Sequence, residues 1–293
     1  MQSLDAFSLV YPTTYGFNDH SFLRADGKWH CFHIWLSAER DRVIGHAISD
    51  DLRSWSQQPE ILPKPQPPSW EAAKGGNAPY VFEWDGVYYL YYSRYCQINR
   101  DGPYRDQQHI GLATSRDLYR WQRYVANPVL TPAPFWSPWE DETSNQYRPK
   151  CCRDPHVMRI GDRFVMYYVG MTREPRISAV AHAFSDDLIH WEDAGPVATM
   201  EVTTEGTAMC ESPCVIEHGG RWHLFFKHGA GTRYGSSDSP FNFPEHELVC
   251  PSHAAEVFEW DGDWYMSHCG ADAGGLSLAR LDMDTEPPEL MPI

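Results

Sequence analysis

Short apolar runs alternate with polar turns along the whole chain, and the same layout returns five times. Each unit opens with a short apolar run, breaks at a polar glycine turn and resumes as an aromatic strand. The turn-plus-strand segments are Asp26-Gly27-Lys28-Trp29-His30-Cys31-Phe32, Asp85-Gly86-Val87-Tyr88-Tyr89-Leu90, Gly161-Asp162-Arg163-Phe164-Val165-Met166, Gly219-Gly220-Arg221-Trp222-His223-Leu224 and Asp261-Gly262-Asp263-Trp264-Tyr265-Met266. The runs before them are Phe22-Leu23, Tyr80-Val81-Phe82, His156-Val157-Met158, Cys214-Val215-Ile216 and Glu256-Val257-Phe258. Asp-Gly between two apolar runs is a strong hairpin signal, so each unit is predicted to begin with a β-hairpin.

A second motif follows the hairpin, Ala-x-Ser-x-Asp-Leu-x-x-Trp. It stands at Ala47–Trp55, Ala113–Trp121 and Ala183–Trp191, with a degenerate copy at Gly235–Pro240. It reads as a strand, a Ser/Asp turn and the start of another strand. The fifth unit has Leu276–Arg280 and then ends. Each unit therefore has about four strands, which describes one blade of a β-propeller. The expected fold is all-β, a single five-bladed β-propeller over residues 1–293, with blade starts near 18, 77, 153, 211 and 253. Three of the four spacings between the aromatic anchors Trp29, Tyr88, Phe164, Trp222 and Trp264 exceed the ~40–50 residues of common blades, which places insertions at Pro63–Gly76, Gln97–Gln108 and Ala133–Lys150. The last holds Trp136, Trp139 and Tyr147, which either wall a pocket or pack on their own blades.

Composition narrows the function. A net charge of -16 and the lack of a Lys/Arg cluster argue against a nucleic-acid partner. No run approaches the ~18 apolar residues of a membrane span. Met1–Phe7 shows no basic region followed by an apolar core, which predicts a cytoplasmic protein, or a secreted one whose leader has been removed. Eight cysteines with no second pair to complete a zinc pattern read as buried reduced thiols. Twelve Trp, sixteen Tyr and thirteen Phe offer stacking surfaces for sugar rings.

The blade starts carry the candidate chemistry. Aligned, they are Asn18-Asp19-His20-Ser21, Asn77-Ala78-Pro79-Tyr80, Arg153-Asp154-Pro155-His156, Glu211-Ser212-Pro213-Cys214 and His253-Ala254-Ala255-Glu256. In a propeller the first strand of each blade lines the central channel. Asp19, Asp154 and Glu211 then meet, although they are far apart in sequence. Crowded carboxylates repel, and burial raises the pKa of at least one. Glycoside hydrolysis needs such a set, with one acid protonated for the leaving oxygen and one ionised to attack or to activate water. A single Asp before Pro is ordinarily a turn residue; three acids in register at blade starts favour a site.

These motifs resemble the five-bladed propeller glycosidases of glycoside hydrolase families 32 and 43, the invertase/levanase and arabinanase/β-xylosidase groups. Asn18-Asp19 is similar to the Asn-Asp of the invertase blade-1 motif, Arg153-Asp154-Pro155 to its Arg-Asp-Pro, and Glu211-Ser212-Pro213 to the Glu-Cys-Pro and Glu-x-Pro motifs. Asn77-Ala78-Pro79 looks more like the arabinanase group. The resemblance implies a glycosidase acting on a furanose or pentose linkage, a β-fructofuranoside or an α-L-arabinofuranoside/β-xyloside, in an oligosaccharide or small glycoside. It implies Glu211 as general acid/base, Asp19 as its partner across the bond, and Asp154 holding the sugar or setting the pKa of Glu211. A carboxyl separation of ~5–5.5 Å would mean retention of configuration, and ~6.5–9.5 Å inversion. Departures are His20-Ser21-Phe22 in place of Pro-Asn-Gly, and an expected lack of the invertase C-terminal β-sandwich. Asn18, His46, Asn77, Arg153, Arg233 and His268 are candidate substrate contacts; turn capping, a surface ion pair, solvation or a satisfied core histidine are their other readings. The chemistry is expected to need no metal, and a structural calcium ion on the axis near His268 is an implied extra. A glycoside phosphorylase and a catalytically silent sugar-binding propeller are the rival readings.

Overall fold

A computed structural model describes residues 1–14, 16–36, 42–65, 69, 71, 77–96, 107–133, 135–137, 151–172, 177–201, 209–269 and 274–293. Of Leu36, Asn77, Tyr95, Cys96 and Gln107 only the backbone is described. Much of the three expected insertions, including Trp139 and Tyr147, lies outside these residues.

Five antiparallel sheets make a five-bladed propeller. Blade 1 has strands Phe17–Ala25, Lys28–Leu36, Arg42–Ser49 and Trp55–Ile61; blade 2 has Asn77–Trp84, Val87–Cys96, Gln107–Ser115 and Gln122–Arg123. Blade 3 has Cys152–Ile160, Arg163–Met171, Ile177–Ser185 and Glu192–Glu201; blade 4 has Glu211–His218, Arg221–His228, Gly231–Ser237 and Glu247–Cys250. Blade 5 has Val257–Trp260, Asp263–His268 and Gly275–Asp282. In blades 1 to 4 the strands pair in chain order. The first strands of successive blades touch one another and so form the inner wall.

The turn chemistry explains the two repeats. Asp26-Gly27, Asp85-Gly86, Gly219-Gly220 and Asp261-Gly262 have positive φ at both residues, the geometry of a hairpin turn that matches strand twist. In the second motif Asp51, Asp117 and Asp187 each accept two backbone N–H groups from the residues that follow. Leu52, Leu118 and Leu188 take positive φ and are buried, so burial offsets a strain of about 1–2 kcal/mol.

Blade 5 corrects one expectation. Its outer edge is built from both ends of the chain. Ser8–Pro12 pairs with one half of Gly275–Asp282, and Glu289–Met291 with the other. The ring is thus closed by the N-terminal strand. Phe22 of blade 1 meets Phe258 of blade 5 with ring centroids 4.7 Å apart.

The core lies between blades. One cluster joins Tyr91, Ile110 and Leu112 of blade 2 to Val157, Met166 and Tyr168 of blade 3, and another joins Val165 and Tyr167 to Val215, Leu224 and Phe226 of blade 4. Trp136 packs on blade 3, with its indole N–H donating to Asp193 Oδ2 at 2.6 Å. Of the two readings of the aromatic insertion, Trp136 takes packing on a blade. Glu71, from the first insertion, is buried against Tyr92, Arg94 and Arg123. Seven described cysteines are buried and form no disulfide.

Candidate active site

The first strand of each of blades 1 to 4 carries an irregularity at its head. The ladder register shifts at Asn18/His20, Asn77/Tyr80, Arg153/His156 and Glu211/Cys214. Ala78, Asp154, Ser212 and Ala254 there have φ between 42° and 54°. Such a bulge re-aims a side chain. The residues lining the channel mouth are consequently Asp19, Ala78, Asp154 and Ser212. Together with His20, three prolines and Glu256 they line a small, half-open pocket. Two acids face one another here beside a small alanine.

Ser212 ties the acids together. Its hydroxyl donates to Asp19 Oδ1 at 2.9 Å and its amide N–H to Asp154 Oδ2 at 3.0 Å. The amide of Asp154 donates to Ser93 Oγ at 3.0 Å. Glu211 stands one residue before this ring, in a cradle of two cations. Arg153 Nη2 is 3.0 Å from Glu211 Oε1, and Lys227 Nζ is 3.0 Å from Oε2. Arg153 Nε also lies 3.6 Å from Asp154 Oδ2.

The electrostatics separate the three acids. Burial pushes Asp154 up to about 7, against the pull of Arg153 and helped by the charges of Asp19 and Glu211. Burial, then the Glu211 charge, also raises Asp19, with Ser212 and Arg153 opposing. Burial raises Glu211 as well, but Arg153 and Lys227 outweigh it and hold this carboxyl below its ordinary value. Burial therefore favours the protonated form of both Asp154 and Asp19, and the two cations favour the ionised form of Glu211. His253, the blade-5 counterpart, is kept neutral chiefly by burial.

The other expected contacts divide. Arg153 is in the site. Asn18 is next to it and accepts the Cys269 thiol at 3.6 Å. Asn77 heads its strand by backbone register, but its side chain lies outside the described residues. His46 is buried away from the pocket, stacked on Phe32 and bonded to His30 at 2.9 Å. Arg233 is turned to His246, whose ring nitrogen and carbonyl it holds. His268 accepts the His253 N–H at 3.0 Å and lies against Phe7. Lys227, Ser212 and Ser93 were not singled out by the sequence. Lys227 had one signal, a charge at the end of the run Leu224-Phe225-Phe226.

The family model described as "Glycosyl hydrolases family 32 N-terminal domain" matches residues 11–236. The chain belongs to glycoside hydrolase family 32. It is 29% identical over 176 residues to a probable sucrose-6-phosphate hydrolase of Psychromonas ingrahamii, a match that spans 59% of this chain but only 29% of that protein. Among solved structures it is similar to the GH32 β-fructofuranosidase BmSUC1 of Bombyx mori, with a TM-score of 0.75 at 19% identity over 98% of this chain and 65% of that one. The exo-1,5-α-L-arabinanase from a bovine ruminal metagenomic library has a TM-score of 0.64 at 18% identity, covering 94% and 96%. CoXyl43, a GH43 β-xylosidase/α-arabinofuranosidase from a compost metagenome, gives 0.68 at 17%, covering 98% and 97%. The family 32 membership and the family 43 likeness of fold agree with the resemblance read from the blade starts.

Proposed function

We propose that the chain is a glycoside hydrolase that cleaves a furanose or pentose glycosidic bond, with a β-fructofuranoside as the first candidate. The observation that carries this reading is the division of labour among three neighbouring acids, Asp19 and Asp154 in the pocket and Glu211 beside it between Arg153 and Lys227. Asp19, aligned by Ser212, attacks the anomeric carbon. Glu211 passes a proton to the leaving oxygen and later takes one from water. Asp154 holds sugar hydroxyls and stores a proton near neutral pH.

Glu211 starts ionised between Arg153 and Lys227. A sugar that enters the pocket removes water and screens Glu211 from those cations, and both changes raise its pKa toward that of a proton donor. Family 32 membership favours Asp19 as a nucleophile, hence retention. A phosphorolytic enzyme needs a cationic phosphate site, and Arg233, one cation it would draw on, is engaged with His246.

The test is a screen of sucrose, sucrose 6-phosphate, aryl furanosides and aryl xylosides, with the product anomer read by NMR. Glu211→Gln should lose about 10²–10⁴-fold in kcat while keeping its fold. Full activity of Glu211→Gln on every glycoside that the wild type cleaves would refute the proposal, and turnover only with added phosphate would replace it by phosphorolysis.

A further inference from the structure

Beneath the acids lies a second ring of polar side chains. Ser21 pairs with Phe32, Tyr80 with Tyr91, His156 with Tyr167 and Cys214 with Phe225. These are equivalent positions of four blades, two residues beyond the channel mouth. Glu256 is their counterpart in blade 5 and lines the same pocket. Two residues further along the strands stand Leu23, Phe82, Met158, Ile216 and Phe258, an apolar layer.

Three members of the polar ring converge. His156, Cys214 and Glu256 each present one ligand atom, and these atoms lie within 4.8 Å of one another. His156 is only 5% exposed. Its Nε2 is 3.0 Å from the Val215 carbonyl oxygen and 3.3 Å from the Val215 amide. The shorter contact is that of an Nε2–H donor, which leaves a lone pair on Nδ1. That Nδ1 is buried without a hydrogen-bond partner, and the Glu256 carboxylate is 4.0 Å away. A metal-bound histidine has this arrangement, with one nitrogen on the metal and the other donating to a backbone carbonyl. Cys214 Sγ accepts the Val257 N–H at 3.3 Å and donates its thiol proton to the Val257 carbonyl oxygen at 3.6 Å, a proton that an incoming metal ion displaces.

We propose that His156, Cys214 and Glu256 bind a divalent transition metal, zinc by preference, in the axial channel beneath the catalytic acids. The donor set is one nitrogen, one sulfur and one oxygen. It suits a borderline-soft ion and not calcium or magnesium, which take oxygen. Tetrahedral zinc with bonds of about 2.0–2.3 Å sets its ligands roughly 3.3–3.8 Å apart. The three atoms must therefore draw in by about 1.0–1.5 Å at most, within reach of the Cys214 and Glu256 side chains. Binding releases the thiol proton and any carboxyl proton to solvent.

The test needs no glycoside and is independent of the proposed activity. The full chain, stripped with a chelator, is titrated with Zn²⁺ and with Co²⁺. One ion per chain should bind, Tm should rise with Zn²⁺, and Co²⁺ should give a thiolate-to-cobalt charge-transfer band. Cys214→Ser should abolish the band, whereas Cys250→Ser should keep it. Glu256→Gln should weaken Zn²⁺ binding at least about tenfold, and it serves as the second variant if Cys214→Ser does not fold. Sub-stoichiometric binding, or a band that survives Cys214→Ser, overturns the proposal.

Discussion

Asp154 is the residue at which site and stability meet. Its folded pKa, raised to about 7, is above the ~3.9 of an unfolded chain. Between those values the folded protein holds a proton that the unfolded chain has released, so stability falls as pH rises through this window. Asp154→Asn removes the ionisation and still tolerates the positive φ of the bulge. We expect the variant to unfold at a higher temperature than wild type at pH 8, by the equivalent of about 1–4 kcal/mol, and to match it near pH 4, while glycosidase activity falls. Thermal melts across that range check this, and a constant difference at every pH would refute it. Lys227 was hidden from the sequence by a single residue. Counting back from the Gly219-Gly220 turn sets Glu211 opposite His228. The bulge moves its partner to Lys227, as a one-residue slip must. Ser212 was hidden differently, because Ser before Pro reads as a turn and its hydroxyl reaches a residue 193 positions away.

At the scale of elements, the hairpins were legible because their signals are local. Asp-Gly sets the turn, period two sets the faces, and Asp-Leu-x-x-Trp sets the next corner. The insertions were less so, since nothing in a run of prolines and aromatics says which wall it meets. Trp136 shows how tight that meeting is. A Cβ on Gly170 would come within 2.2 Å of Trp136 Cη2, and the indole is also held by Asp193, which accepts from Tyr168 at 2.8 Å. Gly170→Ala should force the indole off blade 3 at a cost of about 1–3 kcal/mol. The readouts are a lower Tm and a red-shifted tryptophan emission; an unchanged Tm would contradict the packing described.

The whole molecule is a ring, and its closure is the part of the fold that a linear reading could not supply. Ser8–Pro12 is only five residues long and is paired with a strand at the far end of the chain. No local pattern announces such a partner. The N-terminal segment also binds elsewhere: Gln2 N–H donates to the Val249 carbonyl, and its side chain bridges Pro288 and Leu290. Removing residues 2–12 should leave Gly275–Asp282 with a bare edge, lower Tm and promote association through that edge. Light scattering and melting curves would show it, and a monomer as stable as the full chain would count against closure by this strand. The convergence of Asp19, Asp154 and Glu211 follows from the ring itself. It was foreseeable once five repeats were counted, although their separation in space was not.

The shared edge of blade 5 also sets an order of events during synthesis. Ser8–Pro12 pairs with Gly275–Asp282, so its ladder waits until that strand has been made. Blades 1 to 4 can fold as they emerge, each a local meander. The nascent protein is then an open arc whose three clustered acids are all made but whose fifth wall is missing. The pocket lacks its Glu256 wall until blade 5 has been made, so a ribosome stalled before that point holds three acids and an incomplete site.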